Sequence, residues 1–128
     1  MIVVVAPGQG SQTPGFLAPW LELPGARARL EALGAEAGVD LVAAGTQWDA
    51  DAIRDTAVAQ PLIVAAGLLT LTALGTSGVG GIAGHSVGEL TAAAGAGILT
   101  DDEAIRLVAE RGRAMAEAAA LEPTGMAA

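Results

Sequence analysis

Two short runs of the chain are apolar almost without interruption. Ile2-Val3-Val4-Val5-Ala6 is a β-branched run, the pattern of a central strand covered on both faces. Val79-Gly80-Gly81-Ile82-Ala83 has smaller side chains and also fits a buried strand. Elsewhere the pattern turns helical. Phe16 to Trp20 and Pro24 to Ala37 read as helices, with Pro24 in a first turn. Val39 to Ala43 reads as a short helical or extended connector. Asp49 to Arg54 reads as a short helix with acidic residues where the helix dipole favours them. Gln60-Pro61 opens an apolar helix that runs to about Ala73 and stops at Gly75. That helix is apolar nearly all round, so it is expected buried against a sheet. Glu89 to Ala94 is a good helix-forming stretch. Thr100-Asp101-Asp102-Glu103 is a T-x-x-E capping box and starts a helix to about Ala120.

Composition narrows the picture. The 128 residues suffice for about one domain, and no repeat or linker divides them. Hydrophobic residues make up 52% and aromatic residues only 2%, so the core is aliphatic and alanine-rich. That suits helices packed closely on a parallel sheet. The net charge is −8 and every basic residue is arginine, which argues against a nucleic-acid surface. There is no cysteine, hence no disulfide or thiolate metal site. The N-terminal apolar run lacks a preceding positive region, and Pro61 to Leu74 is short for a membrane span. The expectation is a soluble, cytoplasmic protein.

The strongest chemical signal is Gly84-His85-Ser86-Val87-Gly88, a G-x-S-x-G sequence between the second strand and a helix. Strand, tight turn and helix are the context of a nucleophile elbow. There the serine sits on a strained backbone with its hydroxyl projecting outward, and the flanking glycines let neighbouring backbone come close. The free N–H groups of the following helix point at developing negative charge.

Two other features bear on chemistry. The loop Pro7-Gly8-Gln9-Gly10-Ser11-Gln12 follows the first strand. It is not a P-loop, because no G-K-[ST] follows, and Thr13 stands where a dinucleotide fingerprint needs glycine. Its exposed N–H groups also suit the oxyanion of acyl transfer. In the last helix, Arg106, Glu110, Arg113 and Glu117 form a polar stripe, and Ala104, Val108, Met115 and Ala119 an apolar one. Arg111 falls within the apolar stripe. A guanidinium pointed inward needs an anion, supplied either by the protein, with Glu89 as candidate, or by a ligand. Arg27 and Arg29 read as surface charges.

In chain order, Gly8-Gln9-Gly10-Ser11-Gln12, Gln60-Pro61, Gly84-His85-Ser86-Val87-Gly88-Glu89 and Arg111-Gly112 resemble the malonyl-CoA:acyl carrier protein transacylases. The resemblance implies a three-layer α/β/α, α/β-hydrolase-like large subdomain with a mainly parallel sheet, of which residues 1–128 are the incomplete N-terminal part. A small ferredoxin-like subdomain would begin near residue 128, after Thr124-Gly125-Met126. The resemblance implies roles as well. Ser86 would take the malonyl group as an ester. The N–H groups of Gln9 and Val87 would form the oxyanion hole. Arg111 would bind the malonyl carboxylate, a task its bidentate fork suits. The acyl group would pass from coenzyme A to the phosphopantetheine thiol of acyl carrier protein, in fatty-acid or polyketide synthesis. No cofactor or metal is implied, and the full-length enzyme would be a monomer.

One departure limits the resemblance. A serine hydroxyl needs a base, and the only histidine, His85, flanks Ser86 and is poorly placed to reach it. His85 reads as a packing or loop-ordering residue. The family's catalytic histidine would lie beyond residue 128, so this stretch alone is expected to be inactive. Two alternatives stand beside this reading. A patatin-like serine esterase would share the elbow and ignore coenzyme A, but the first loop and Arg111 argue against it. A non-catalytic fragment or subunit completed by another chain is the second. Acyl carrier proteins are acidic, so a −8 surface would repel one, and the docking surface would lie largely outside this stretch.

Overall fold

Strands β1 (Ile2–Ala6) and β2 (Val79–Gly84) lie side by side and parallel, in register from Val3 against Gly81 to Ala6 against Gly84, with an irregularity after Ile2. The computed structural model describes residues 1–122. Thr124-Gly125-Met126, placed by the family resemblance before a second subdomain, lies outside the described residues. The helices are α1 (Ala26–Ala37), α2 (Leu41–Thr46), α3 (Thr56–Leu74), α4 (Gly88–Gly95) and α5 (Asp101–Leu121). Short 3-10 turns cover Ala18–Glu22 and Ala52–Arg54.

Among the described residues, the strands are covered on one side only. Side chains alternate between faces, so Val4 and Ala6 share the covered face, where Ala6 is buried beneath the start of α4. Val3 and Val5 point the other way and stay 51% and 75% exposed. This corrects the reading of β1 as covered on both faces. A β-branched run reports strand propensity, while its two-sided cover depends on neighbours the run does not specify.

Helix α3 is the centre of the core, and its place differs from expectation in two ways. It begins at Thr56, because the Asp55 side chain caps it by accepting the Ala57 N–H at 2.8 Å. Pro61 therefore sits inside the helix, where its missing N–H frees the Ala57 carbonyl from its helical partner. In addition, α3 packs chiefly on α5 and α4, with α1 and α2 beyond, rather than directly on the strands. By length and composition its 19 residues would pass for a membrane span. Its buried face, Leu62 to Ala65 with Leu68 and Leu69, is instead enclosed by the other helices.

Other boundaries shift by local chemistry. Pro24 lies in the turn before α1, and Gly25 takes the N-cap with φ of 82°. The Phe16 to Trp20 helix is a 3-10 turn displaced to Ala18–Glu22, and the connector resolves as α2, capped by Asp40 on the Ala43 N–H. Helix α5 starts where its capping box places it, with both reciprocal bonds formed between Thr100 and Glu103. Arg29 is more than a surface charge: it reaches from α1 to Asp101 at 2.6 Å and tethers the start of α5. Arg106 pairs with Glu36 in the same helix crossing.

Candidate active site

The elbow forms where β2 runs out. The His85 N–H still donates to the Ala6 carbonyl, at 3.1 Å, and so extends the pairing of the strands by one residue. The chain then reverses at Ser86, whose φ is 54°; among the described residues it is the only non-glycine with positive φ. That region is strained for a residue with a Cβ and persists only where the surroundings enforce it. The enforcement is visible on both sides. A Cβ on Gly84 would run into the Gly88 carbonyl, and one on Gly88 would run into the carbonyls of Ala6 and Pro7. Both glycines of the motif are therefore required by close backbone approach. The turn closes with the Gly88 N–H on the His85 carbonyl at 2.9 Å and the Glu89 N–H on the Ser86 carbonyl at 3.0 Å. Ser86 is left exposed, and Val87 buries its side chain in the core.

The first loop packs against this turn. A Cβ on Gly8 would lie 2.6 Å from His85 Nδ1, so the loop backbone runs directly against the His85 ring. The loop is held from within by the Gly10 N–H on Gln12 Oε1 at 2.9 Å, and outward by Gln12 Nε2 on the Ile53 carbonyl at 3.2 Å. Gln9 Nε2 donates to Thr56 Oγ1 at 3.2 Å, at the first residue of α3. Among the described residues, the backbone N–H groups of Gln9 and Val87 donate to no protein acceptor.

Arg111 completes the cluster. From α5 its Nη2 donates to Ser86 Oγ at 3.2 Å, and its Nη1 donates to Gln60 Oε1 at 2.7 Å. Of the two partners considered for Arg111, the protein carboxylate is not there: the candidate Glu89 is exposed in the first turn of α4, and no carboxylate of the described residues pairs with Arg111. Among the described residues the half-buried guanidinium donates only to neutral acceptors, Gln60 and the Ser86 hydroxyl.

Gln60 stands with Pro61 in the family resemblance, but the sequence pattern assigns it no role in the site. It is only 1% exposed, and its amide joins three elements. Besides accepting from Arg111, its Nε2 donates to Met115 Sδ at 3.1 Å and, more weakly, to Gln9 Oε1 at 3.5 Å. A continuous chain of contacts thus runs from Thr56 through Gln9, Gln60 and Arg111 to Ser86. The signal available in the sequence is a lone amide in an otherwise apolar helix, which must find partners when buried.

The arrangement offers a nucleophile, unpaired N–H donors beside it and a cation for an anionic substituent. No base stands within hydrogen-bond distance of Ser86 among the described residues. Nor, among them, is any group of three or more histidine or carboxylate side chains placed to hold a metal. A neighbouring cleft of about 310 Å³ is lined by Gln9, Gly10, Gln12, Ile53 and Arg54, but Ser86 and Arg111 do not line it.

Residues 3–128 match the acyl transferase domain family. The chain is 52% identical to the malonyl CoA-acyl carrier protein transacylase of Mycobacterium tuberculosis, over all of this chain and 44% of that protein. It superposes on the crystal structure of MCAT from the same organism with a TM-score of 0.93, covering 98% of this chain and 43% of that one. A type II PKS acyl-carrier protein in complex with its malonyl-transacylase gives a TM-score of 0.81 at 34% identity, covering 91% and 39%. The chain therefore spans less than half the length of the relatives it matches.

Proposed function

The chain belongs to the acyl transferase domain family, and on that premise we propose that it carries the acyl-accepting part of a malonyl transfer site. Residues 1–128 form the N-terminal part of the large subdomain, and the remainder of the enzyme supplies the base. Ser86 Oγ attacks the thioester carbonyl of malonyl-CoA and gives its proton to that base. The carbon–sulfur bond breaks, coenzyme A leaves as a thiol after taking a proton, and a malonyl ester remains on Ser86. The phosphopantetheine thiol of acyl carrier protein gives its proton to the base and attacks the ester, the bond from Ser86 Oγ to the acyl carbon breaks, and Oγ takes that proton back from the base. The product feeds fatty-acid or polyketide synthesis.

In this reading the N–H groups of Gln9 and Val87 receive the oxyanion that forms at each attack. Arg111 receives the free carboxylate of the malonyl group. The observation that carries the reading is Arg111 itself: a guanidinium with no carboxylate partner among the described residues, 3.2 Å from the hydroxyl of a strained serine. An esterase of neutral substrates has no use for that cation. The protein is soluble and cytoplasmic, needs no cofactor and works as a monomer when full length.

The test compares two proteins. One is the polypeptide of residues 1–128. The other is a chimera joining it to the remaining part of the Mycobacterium tuberculosis relative. With malonyl-CoA and acyl carrier protein, the chimera turns over and the shorter polypeptide does not. Intact-mass analysis finds the malonyl group on Ser86, and S86A abolishes it. Turnover by residues 1–128 at the chimera's rate would refute the need for a base from elsewhere. A chimera that folds yet never carries acyl on Ser86 would refute the whole reading.

A further inference from the structure

Helix α5 crosses the first turn of α3 at Gly112, the residue after Arg111. A Cβ at Gly112 would stand 3.0 Å from the Thr56 carbonyl oxygen, 3.3 Å from Ala57 Cα and 3.6 Å from Gln60 Cβ. The first two neighbours are backbone, so they cannot turn aside as a side chain can. The helices approach this closely only because position 112 lacks a side chain.

The same turn of α3 carries the rest of the cluster. Thr56 Oγ1 accepts from Gln9, and Gln60, one turn later, accepts from Arg111. The first turn of α3 is thus a common base for the Gln9 loop and for the guanidinium. Their separation depends on how near α5 lies to that base. Pro61 adds to the fit, since no helical N–H reaches the Ala57 carbonyl on the face of this crossing turn.

We infer that Gly112 is a positioning residue for the acyl carboxylate: it sets the reach of Arg111 from α5 to Ser86, and through it the preference for an acyl group ending in a carboxylate. This rests on the malonyl reading of Arg111 proposed above. Gly112 touches no substrate and acts through the helix spacing alone. A methyl group at position 112 moves α5 outward by a few tenths of an ångström and carries Arg111 with it. The nucleophile and the Gln9 loop, held by the strands and by α3, stay where they are. Carboxylate-bearing acyl groups lose their anchor, whereas acetyl groups lose nothing.

The experiment measures, in the chimera, the ratio of kcat/KM for malonyl-CoA to that for acetyl-CoA. Misplacement of an anchoring group by about 1 Å costs up to roughly a hundredfold, so G112A should lower the ratio by about five- to tenfold, mainly through KM for malonyl-CoA. G34A is the control. Its Cβ would meet the Val39 carbonyl at 2.7 Å, far from the cluster, so it should lower the melting temperature and leave the ratio unchanged. A57V, which adds bulk at the same crossing, gives a second reading should G112A fold poorly, and should shift the ratio in the same direction. R111A separates the two layers of the argument. If R111A leaves the ratio unchanged, the malonyl reading of Arg111 fails. If R111A collapses the ratio while folded G112A and A57V leave it at the parent value, the role of Gly112 is overturned.

Discussion

Arg111 and Ser86 meet across two helices, with Nη2 of the one donating to Oγ of the other at 3.2 Å. The serine is fixed by the elbow between β2 and α4, the arginine by the packing of α5 on α3. The contact puts a positive charge where an acyl group on the serine would extend. It also occupies the serine oxygen with a donor, and no base reaches that oxygen among the described residues.

The first prediction concerns that charge. A hydrogen bond to an ionised group is worth about 1.5–3 kcal/mol, so R111A should lower malonyl transfer by the chimera by roughly ten- to a hundredfold. Acetyl transfer should hold or improve, reversing the preference. R111K should recover only part of the loss, because an ammonium lacks the two-pronged fork. Steady-state rates with the two thioesters decide it. An unchanged malonyl preference in R111A would remove the arginine from the mechanism.

Gln60 supports a second. Its buried amide oxygen accepts from Arg111 at 2.7 Å. Q60E keeps the shape and places a carboxylate against the guanidinium, an internal competitor for the malonyl carboxylate. KM for malonyl-CoA should rise by about tenfold or more, consistent with the strength of charge-assisted pairs. Acetyl transfer should change far less. Equal effects on both substrates would show that Gln60 acts on folding alone.

Much of this cluster is legible in the amino-acid sequence, and the reasons are local. The elbow is written in adjacent residues: a strand, glycines at the close approaches and a serine between them. Arg111 is conspicuous because it interrupts an apolar stripe. The capping box of α5 needs only Thr100 and Glu103. What escapes is set by distant partners. The N-terminus of α3 is hidden because Pro61 resembles a first-turn proline, while the cap comes from Asp55, whose side chain also suits a loop. Gln60 is visible as a lone amide, but its three partners lie in the first loop and in α5. The exposed face of β1 is the converse case: Val3 and Val5 look like core because their side chains say nothing of what covers them.

Strain at Ser86 gives a third prediction. Its φ of 54° costs a side-chain-bearing residue about 1–3 kcal/mol, offset in part by the roughly 0.4–1 kcal/mol of extra unfolded-state entropy that a glycine brings. S86G should therefore be more stable than S86A, although both lack the hydroxyl and neither takes an acyl group. Chemical denaturation of the two variants compares them directly. A less stable S86G would mean that the elbow is relaxed.

The glycines around the serine behave oppositely. A Cβ on Gly88 would overlap the Ala6 carbonyl, and overpacking of this kind costs about 1–3 kcal/mol or more. G88A should melt several degrees lower and lose acylation of Ser86, because the turn can relieve the clash only by moving the serine. G38A is the comparison: Gly38, at the end of α1, has a φ of 70° and open space around it, so the substitution strains only its own turn and acylation should survive there. Thermal melts together with intact-mass acylation distinguish the two positions.

The last prediction concerns pH and the start of α5. The Thr100 backbone N–H, and then its hydroxyl, bond to the Glu103 carboxylate and hold its pKa below the usual 4.5. The folded state thus binds this proton less readily than the unfolded chain does. A carboxyl with a lowered folded pKa contributes stability above its unfolded value, and loses that contribution as pH falls through the folded one. Acidification below about pH 4.5 should therefore loosen α5 progressively. Since α5 carries Arg111, acylation of Ser86 should weaken in the same window. E103Q keeps an acceptor for Thr100 but cannot titrate, so its melting temperature should depend less on pH between 5 and 3, values chosen to bracket roughly the carboxylate range. Parallel acid titrations followed by far-UV circular dichroism check this. If E103Q and the parent chain show the same slope, the capping carboxylate does not govern the acid limit of the helix.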